Sequence, residues 1–268
     1  MSLDPLRDVI ARHGLATRKS LGQHFLLDGN LLARIVRVAG ALDGINVIEI
    51  GPGPGGLTRA LLDTAAASVT AIEIDPRAIA ATSELLTHNA DRLRIIAGDA
   101  LDIDLETLAP APRSIIANLP YNAGTAMLVH WLHHAGAFHS MVLMFQREVA
   151  ERIVAAPDTP HYGRLAILAA LTTDSTIAMT VPAAAFSPPP KVESAVVRLI
   201  PHPTQPPAAL LAKIGTITAA AFGQRRKMLR GALKSLGGAT LLTSVGINPE
   251  RRAETLTPAD YVRLAEAL

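Results

Sequence analysis

The chain has no cysteine in its 268 residues. Disulfides, thiolate metal sites and thiol nucleophiles are thereby excluded, and a reducing compartment is the setting such a composition fits. Long apolar runs are missing too. No segment approaches the ~18 uncharged residues that a membrane helix needs, and M-S-L-D-P-L-R-D-V-I-A-R-H-G at the N-terminus carries charges where a signal peptide needs an unbroken apolar core. The expectation is a cytoplasmic protein with no membrane partner and no metal. Aromatic residues make up only 3% of the chain, so each one in a polar or stiff context draws notice.

What is present suffices for a large α/β domain and a smaller one, since 49% of the residues are hydrophobic. The net charge of +2 hides an uneven distribution: residues 1–186 hold 14 Lys/Arg against 18 Asp/Glu, and residues 187–268 hold 11 against 5. Positive charge concentrated at one end points to a polyanion-binding module joined to a small-molecule domain, or to a solvated basic surface.

The most informative stretch is V-I-E-I-G-P-G-P-G-G-L-T, residues 47–58. An apolar, β-branched run enters a glycine-rich turn, and Leu57, Ala60 and Leu61 continue at helical spacing, which predicts strand, tight turn, helix. Gly51, Gly53 and Gly56 match G-x-G-x-x-G, the pattern that lets backbone approach a nucleotide-type ligand. Glu49, two residues before Gly51, would repel a pyrophosphate but favours a cation, which tilts the reading from NAD towards S-adenosylmethionine. Glu73 ends the next apolar run, where an acceptor for ribose hydroxyls belongs in either cofactor class.

Further strands are predicted at 93–97, 113–117 and 141–145, with a closing pair at 176–181 and 192–200 and helices between them. Asp99 follows the 93–97 strand; it can accept from an adenine amine or cap the next segment. The 113–117 strand runs into Asn118-Leu119-Pro120-Tyr121. An exocyclic adenine amine is a poor nucleophile because its lone pair is delocalised, so a site must draw the nitrogen towards tetrahedral geometry. The Asn118 oxygen and a backbone carbonyl beside Pro120 can take its two N–H groups, while Tyr121 offers a face to an extruded base. Phe186, before three prolines, is a stacking wall on a stiff loop or a core contact. After the proline-rich 201–207 linker, helical patterns cover 209–222, 227–236 and 258–268. Arg225, Arg226 and Lys227, with Arg230 and Lys234 continuing at helical spacing, predict a basic face that tracks phosphates. The basic and apolar arm 17–28, with Arg18 and Lys19, precedes the first strand and can fold over the carboxyl edge of the sheet. These elements divide the chain at 1–200 and 201–268.

G-Q-H-F-L (22–26), E-I-G-P-G-P-G-G-L-T (49–58), N-L-P-Y (118–121), F-S-P-P-P-K-V-E-S (186–194) and A-F-G-Q-R-R-K (221–227) together resemble the ribosomal RNA adenine N6,N6-dimethyltransferase family, and most closely its branch acting on small-subunit RNA, the kasugamycin-sensitivity type. The resemblance spans nearly the whole chain. It implies a Rossmann-like α/β methyltransferase fold, a mostly parallel seven-stranded sheet followed by a small all-α C-terminal domain that binds RNA. It implies a donor site for S-adenosylmethionine using His24, Leu26, Gly51, Glu73, Asp99 and Asn118, with Asn118, Tyr121 and Phe186 at the target base. Many relatives have Asn where this chain has His24. The substrate implied is 16S rRNA in the assembling small ribosomal subunit, two neighbouring adenosines in its 3′-terminal hairpin, and the expected state is a monomer. The other readings are a large-subunit enzyme of the macrolide-resistance type, a nucleic-acid-binding factor that lost turnover, and, more distantly, an NAD oxidoreductase.

Overall fold

The computed structural model describes residues 3–15 and 24–268; the arm residues Arg18, Lys19, Gly22 and Gln23 lie outside them. The strands are β1 (Phe25–Leu26), β2 (Asn46–Ile50), β3 (Ser68–Glu73), β4 (Leu93–Ala97), β5 (Arg113–Asn118), β6 (Ser140–Gln146), β7 (Thr173–Val181), β8 (Phe186–Ser187) and β9 (Ser194–Pro201). Seven of them form one sheet in the order β4-β3-β2-β5-β6-β9-β7. The β4-β3, β3-β2, β2-β5 and β5-β6 pairs are parallel, and β9 joins β6 antiparallel. The sheet is therefore mostly parallel and seven-stranded, as expected.

Sequence composition explains which strands lie where. N-V-I-E-I of β2 is buried at every position and S-M-V-L-M-F of β6 likewise, the near-continuous apolar runs of strands covered on both faces. The edge strand β7, T-D-S-T-I-A-M-T-V, instead alternates between exposed and partly covered along most of its length. Helices start where short polar side chains cap them. Asp28 accepts from Asn30 N at 2.8 Å ahead of helix Gly29–Arg37, and Asp75 accepts from Arg77 N at 3.0 Å ahead of Pro76–Ser83, with Pro76 at its first turn. The helix from Pro76 stops at Ser83, and a separate short turn of helix covers Leu86–Asn89.

Because strand order reverses between β2 and β5, the carboxyl ends of these neighbours diverge and open a crevice, the place where such sheets hold ligands. The two-residue ladder β1·β8, with Leu26 opposite Phe186 and Phe25 opposite Ser187, ties the segment before helix 29–37 to the loop before β9. Leu26, Leu32, Val47, Leu57, Leu61, Phe186 and Val196 belong to one buried cluster.

The chain forms two compact units. One takes the residues up to His130 with Ala137–Ala150 and Thr176–Pro201; the other takes Trp131–Gly136, Glu151–Ser175 and His202–Leu268. In the second, helices Arg164–Thr172, Ala208–Gly223, Gly238–Ser244 and Pro258–Ala267 enclose a core of Ile167, Ile217, Leu229, Leu242 and Leu264. Two buried tyrosines close it, Tyr162 donating to Leu256 O at 2.9 Å and Tyr261 to Ala253 O at 2.8 Å. From His202 onward, the regular structure is helical and no strand occurs.

Candidate active site

At the carboxyl edge of the sheet lies a cavity of about 220 Å³. Its walls come from the ends of four parallel strands: Gly51 after β2, Glu73 closing β3, Asp99 after β4 and Asn118 closing β5, with His24 and Tyr121 beside them. The sequence-predicted residues His24, Gly51, Glu73, Asp99, Asn118 and Tyr121 thus share one cavity. Leu26 and Phe186 do not line it; both are buried in the adjoining core, although the Phe186 ring meets His24 edge-on at 6.4 Å.

The glycine turn is built by backbone needs that other residues cannot meet. Gly51 has φ +68° and open space where a side chain would start, so a Cβ would be strained and would intrude on the cavity. Gly53 has φ +57° and a Cβ there would lie 3.0 Å from the Phe25 ring. Glu73 fastens this turn to β3. Its Oε2 accepts from Gly53 N at 3.2 Å, while Oε1 accepts from Ile74 N at 2.8 Å and Asp75 N at 3.0 Å. Asp99 Oδ1 accepts from Leu101 N at 2.9 Å, which is the capping reading, and the residue also borders the cavity.

Across the cavity, Asn118 Nδ2 donates to His24 O at 3.3 Å. Committing the amide nitrogen to a carbonyl turns the other end, Oδ1, into the free acceptor. Pro120 O is occupied by Ala123 N at 3.1 Å and Gly124 N at 2.9 Å, so the turn itself uses the proline carbonyl and the Leu119 carbonyl is the neighbouring one outside that turn. The Tyr121 hydroxyl bonds Ser194 Oγ at 2.6 Å, which holds the ring 5.4 Å from that of His24; burial pushes its ionisation upwards despite Ser194. His24 is held in turn through Nδ1, 2.8 Å from Pro188 O.

Two contributors went unread in the sequence. Ile74 lines the cavity while 63% exposed, an apolar side chain left on a surface that an aromatic ligand face would cover. Ser194 is fully buried and orients Tyr121. A third group was read but acquires a different character. Glu49 is 1% exposed, and neither carboxyl oxygen has a hydrogen-bond partner among the described residues; Thr58 Oγ1, close to it, is equally unpartnered. Burial pushes the Glu49 carboxyl up to about 8, Thr58 pulling down and Glu73 adding to the rise.

The basic residues of the second unit differ from expectation in one respect. Gln224 ends helix 208–223, residues 224–227 form a turn closed by Lys227 N to Gln224 O at 2.8 Å, and the next helix, Leu229–Ala232, is a single turn. Arg225, Arg226, Lys227 and Arg230 are all exposed, but the first three sit on that turn and Arg230 on the single-turn helix, so they do not share one continuous helical face. The Gln224 backbone, at φ −130° and ψ 50°, has left the helical region, which is what breaks the face. Arg225 Nη2 donates to Pro160 O at 3.0 Å, and Arg230 lies 3.9 Å from Glu250.

A family model described as "Ribosomal RNA adenine dimethylase" matches residues 14–268. The chain belongs to this family. Among its relatives, the Ribosomal RNA small subunit methyltransferase A of Gluconobacter oxydans (strain 621H) is 57% identical over 266 residues, covering 99% of this chain and 88% of that protein. The protein of the same name from Sinorhizobium medicae (strain WSM419) is 55% identical, covering 99% and 98%. Solved dimethylase-like structures agree in fold. A dimethyladenosine transferase from Plasmodium falciparum superposes with a TM-score of 0.77 at 28% identity, covering 90% of this chain and 96% of that one. The 23S rRNA methyltransferase ErmE does so at 0.68 and 26%, covering 91% and 99%.

Proposed function

We propose that this dimethylase uses S-adenosylmethionine to convert two neighbouring adenosines in the 3′-terminal hairpin of 16S rRNA to N6,N6-dimethyladenosine, late in small-subunit assembly. The observation that carries the chemistry is the Asn118 arrangement: an amide whose nitrogen is tethered to His24 O, on the wall of the cavity that Gly51, Glu73 and Asp99 also line. The small-subunit target is supported by relatives at 55–57% identity bearing that name, against 26% for the large-subunit enzyme.

The cavity suits the donor. Gly51 leaves backbone exposed for close approach, Glu73 and Asp99 are acceptors for hydroxyls and an amine, and Ile74 is an apolar face for a purine. The donor supplies an electrophilic methyl group on a cationic sulfur. The protein's part is to prepare the nucleophile. Asn118 Oδ1 and the Leu119 carbonyl accept the two N–H groups of the target amine, which localises its lone pair; the proton lost after transfer passes to solvent. Tyr121, fixed by Ser194, presents a stacking face for the flipped base, with Phe186 buttressing it through His24. The helical region 201–268 serves RNA binding, with Arg225, Arg226, Lys227 and Arg230 as phosphate contacts.

The test is methyl transfer in vitro. Small subunits lacking the modification, incubated with purified protein and labelled S-adenosylmethionine, should gain four methyl groups on two adenosines. Label appearing only in large-subunit RNA would instead favour the macrolide-resistance type.

A further inference from the structure

Two carboxyl groups lie close to the glycine turn, and they are treated in opposite ways. Glu73 accepts three backbone N–H groups, from Gly53, Ile74 and Asp75. Glu49, fully buried, accepts none within hydrogen-bond distance among the described residues. Glu49 shares a face of β2 with Val47, which belongs to one buried cluster with Leu57 and Leu61 of helix Gly56–Leu62. Thr58 from that helix is the polar group beside it, and Glu73 from β3 is the charged group that acts on it. An ionised carboxylate without hydrogen bonds is costly in such a place, and a neighbouring anion makes it costlier. Two residues further along, Gly51 borders the cavity, as Glu73 does.

We infer that Glu49 is a charge-sensing positioning residue: it carries a proton in the donor-free protein and releases it to solvent when a cationic donor occupies the cavity, so that donor and neutral product are distinguished. The inference rests on the donor reading above. A positive charge in the cavity would offset the repulsion from Glu73 and lower the cost of the ionised form of Glu49 within the same packing. S-adenosylmethionine bears one more positive charge than S-adenosylhomocysteine, whose sulfur is a neutral thioether. Cation entry therefore drives release of a proton from Glu49, and departure of the neutral-sulfur product restores it.

Linkage then sets the sign. If occupancy lowers the Glu49 pKa, donor affinity rises with pH up to about 8, where the free protein has itself lost the proton, and is level above that. Each unit of lowering corresponds to about tenfold in affinity. Isothermal titration calorimetry in buffers of different ionisation enthalpy measures the protons released. The donor's own amino group also titrates near this range, so the release belonging to Glu49 is the part lost in Glu49→Gln, whose neutral amide copies the shape of the protonated acid. S-adenosylmethionine, and sinefungin with an ammonium in place of the sulfonium, should release protons on binding the parent at pH 7; S-adenosylhomocysteine should release markedly fewer. In Glu49→Gln the excess release should vanish and the preference for the cationic ligands should shrink several-fold. If that variant does not fold, Thr58→Val serves: removing the hydroxyl that favours the ionised form should move the pH window upwards. Equal proton release by all three ligands, or release unchanged in Glu49→Gln, or an unmoved window in Thr58→Val would overturn the inference while leaving the donor site intact. No binding of S-adenosylmethionine to the parent at any pH would overturn the donor reading, and this inference with it.

Discussion

The cavity and the basic turn solve opposite problems. Beside the glycine turn two acidic groups are buried: Glu73, which lines the cavity, is 6% exposed with three backbone donors, and Glu49, outside the cavity lining, is 1% exposed with none among the described residues. On the 224–227 turn, the cations are exposed, and among the described residues Arg225 alone is tied down, through Pro160 O. A small ligand with fixed shape rewards groups whose positions are overdetermined by packing. A polyphosphate chain rewards charge density, and exposed side chains provide it with little folding cost. Charges should therefore matter to folding and chemistry in the first region and to salt-dependent affinity in the second.

The largest contrast is expected from Glu49→Gln. The parent's carboxyl, raised to about 8 from an ordinary 4.5, makes the folded state bind the extra proton between those values. Its contribution to stability is fully present below pH 4.5 and is lost as pH rises through 8. Relative to the parent, the variant should gain stability on going from pH 5 to pH 9 by an amount on the order of 3 to 5 kcal/mol, read from denaturant unfolding at several pH values. Parallel pH profiles for parent and variant would show that Glu49 is ionised throughout.

Next comes Asn118→Ala. Removing the tethered amide leaves donor and RNA binding nearly intact but disorients the attacking amine, so single-turnover transfer should slow by about 100-fold. A comparable loss in donor affinity would move Asn118 from the chemistry to the donor site. Glu73→Ala and Asp99→Ala should follow, each weakening S-adenosylmethionine binding by ~1 to 3 kcal/mol in calorimetry through loss of an acceptor. Glu73→Ala should also loosen the turn, since Gly53 N loses its partner; equal affinity in both variants and the parent would remove these roles.

Changing Arg225, Arg226 and Lys227 together to Ala should have the smallest effect on the fold and none on donor affinity. Thermal unfolding should barely move, because two of the three are exposed surface cations and the third has one exposed hydrogen bond. RNA binding should weaken, and the log-log salt slope should fall in magnitude by up to about 2 units if all three touch phosphates. An unchanged slope with unchanged folding would make the turn an ordinary solvated surface.

Why the first region was legible and the second less so follows from the same contrast. Strand ends announce themselves: apolar runs at 47–50, 93–97 and 113–117 stop at Gly51, Gly98 and Asn118, and glycines at 51, 53 and 56 have few other uses than a sharp turn. The parallel order then brings Glu73, Asp99 and Asn118 to one edge. Ile74 escaped notice because an apolar residue next to an apolar strand reads as more strand; only the fold shows it outside the ladder and 63% exposed. The β1·β8 ladder, two residues on each side, is too short for any periodicity, yet it decides that Phe186 turns into the core beside Leu26. Segment 151–175 joins the helical unit through tertiary packing, which hydrophobic spacing alone does not reveal. The patterns at 209–222 and 227–236 already left the Gln224 turn between them, but the second is shorter than read, a single turn at Leu229–Ala232 followed by a 3-10 turn at Lys234–Leu236.

The measurement bearing most directly on the central claim is mass mapping of 16S rRNA from a strain lacking this gene, complemented with the parent or with Asn118→Ala at matched protein level. The account predicts that the two neighbouring N6,N6-dimethyladenosines of the 3′-terminal hairpin disappear on deletion, return in full with the parent, and stay absent or strongly reduced with Asn118→Ala. Their persistence in the deletion strain, or full restoration by Asn118→Ala, would contradict it.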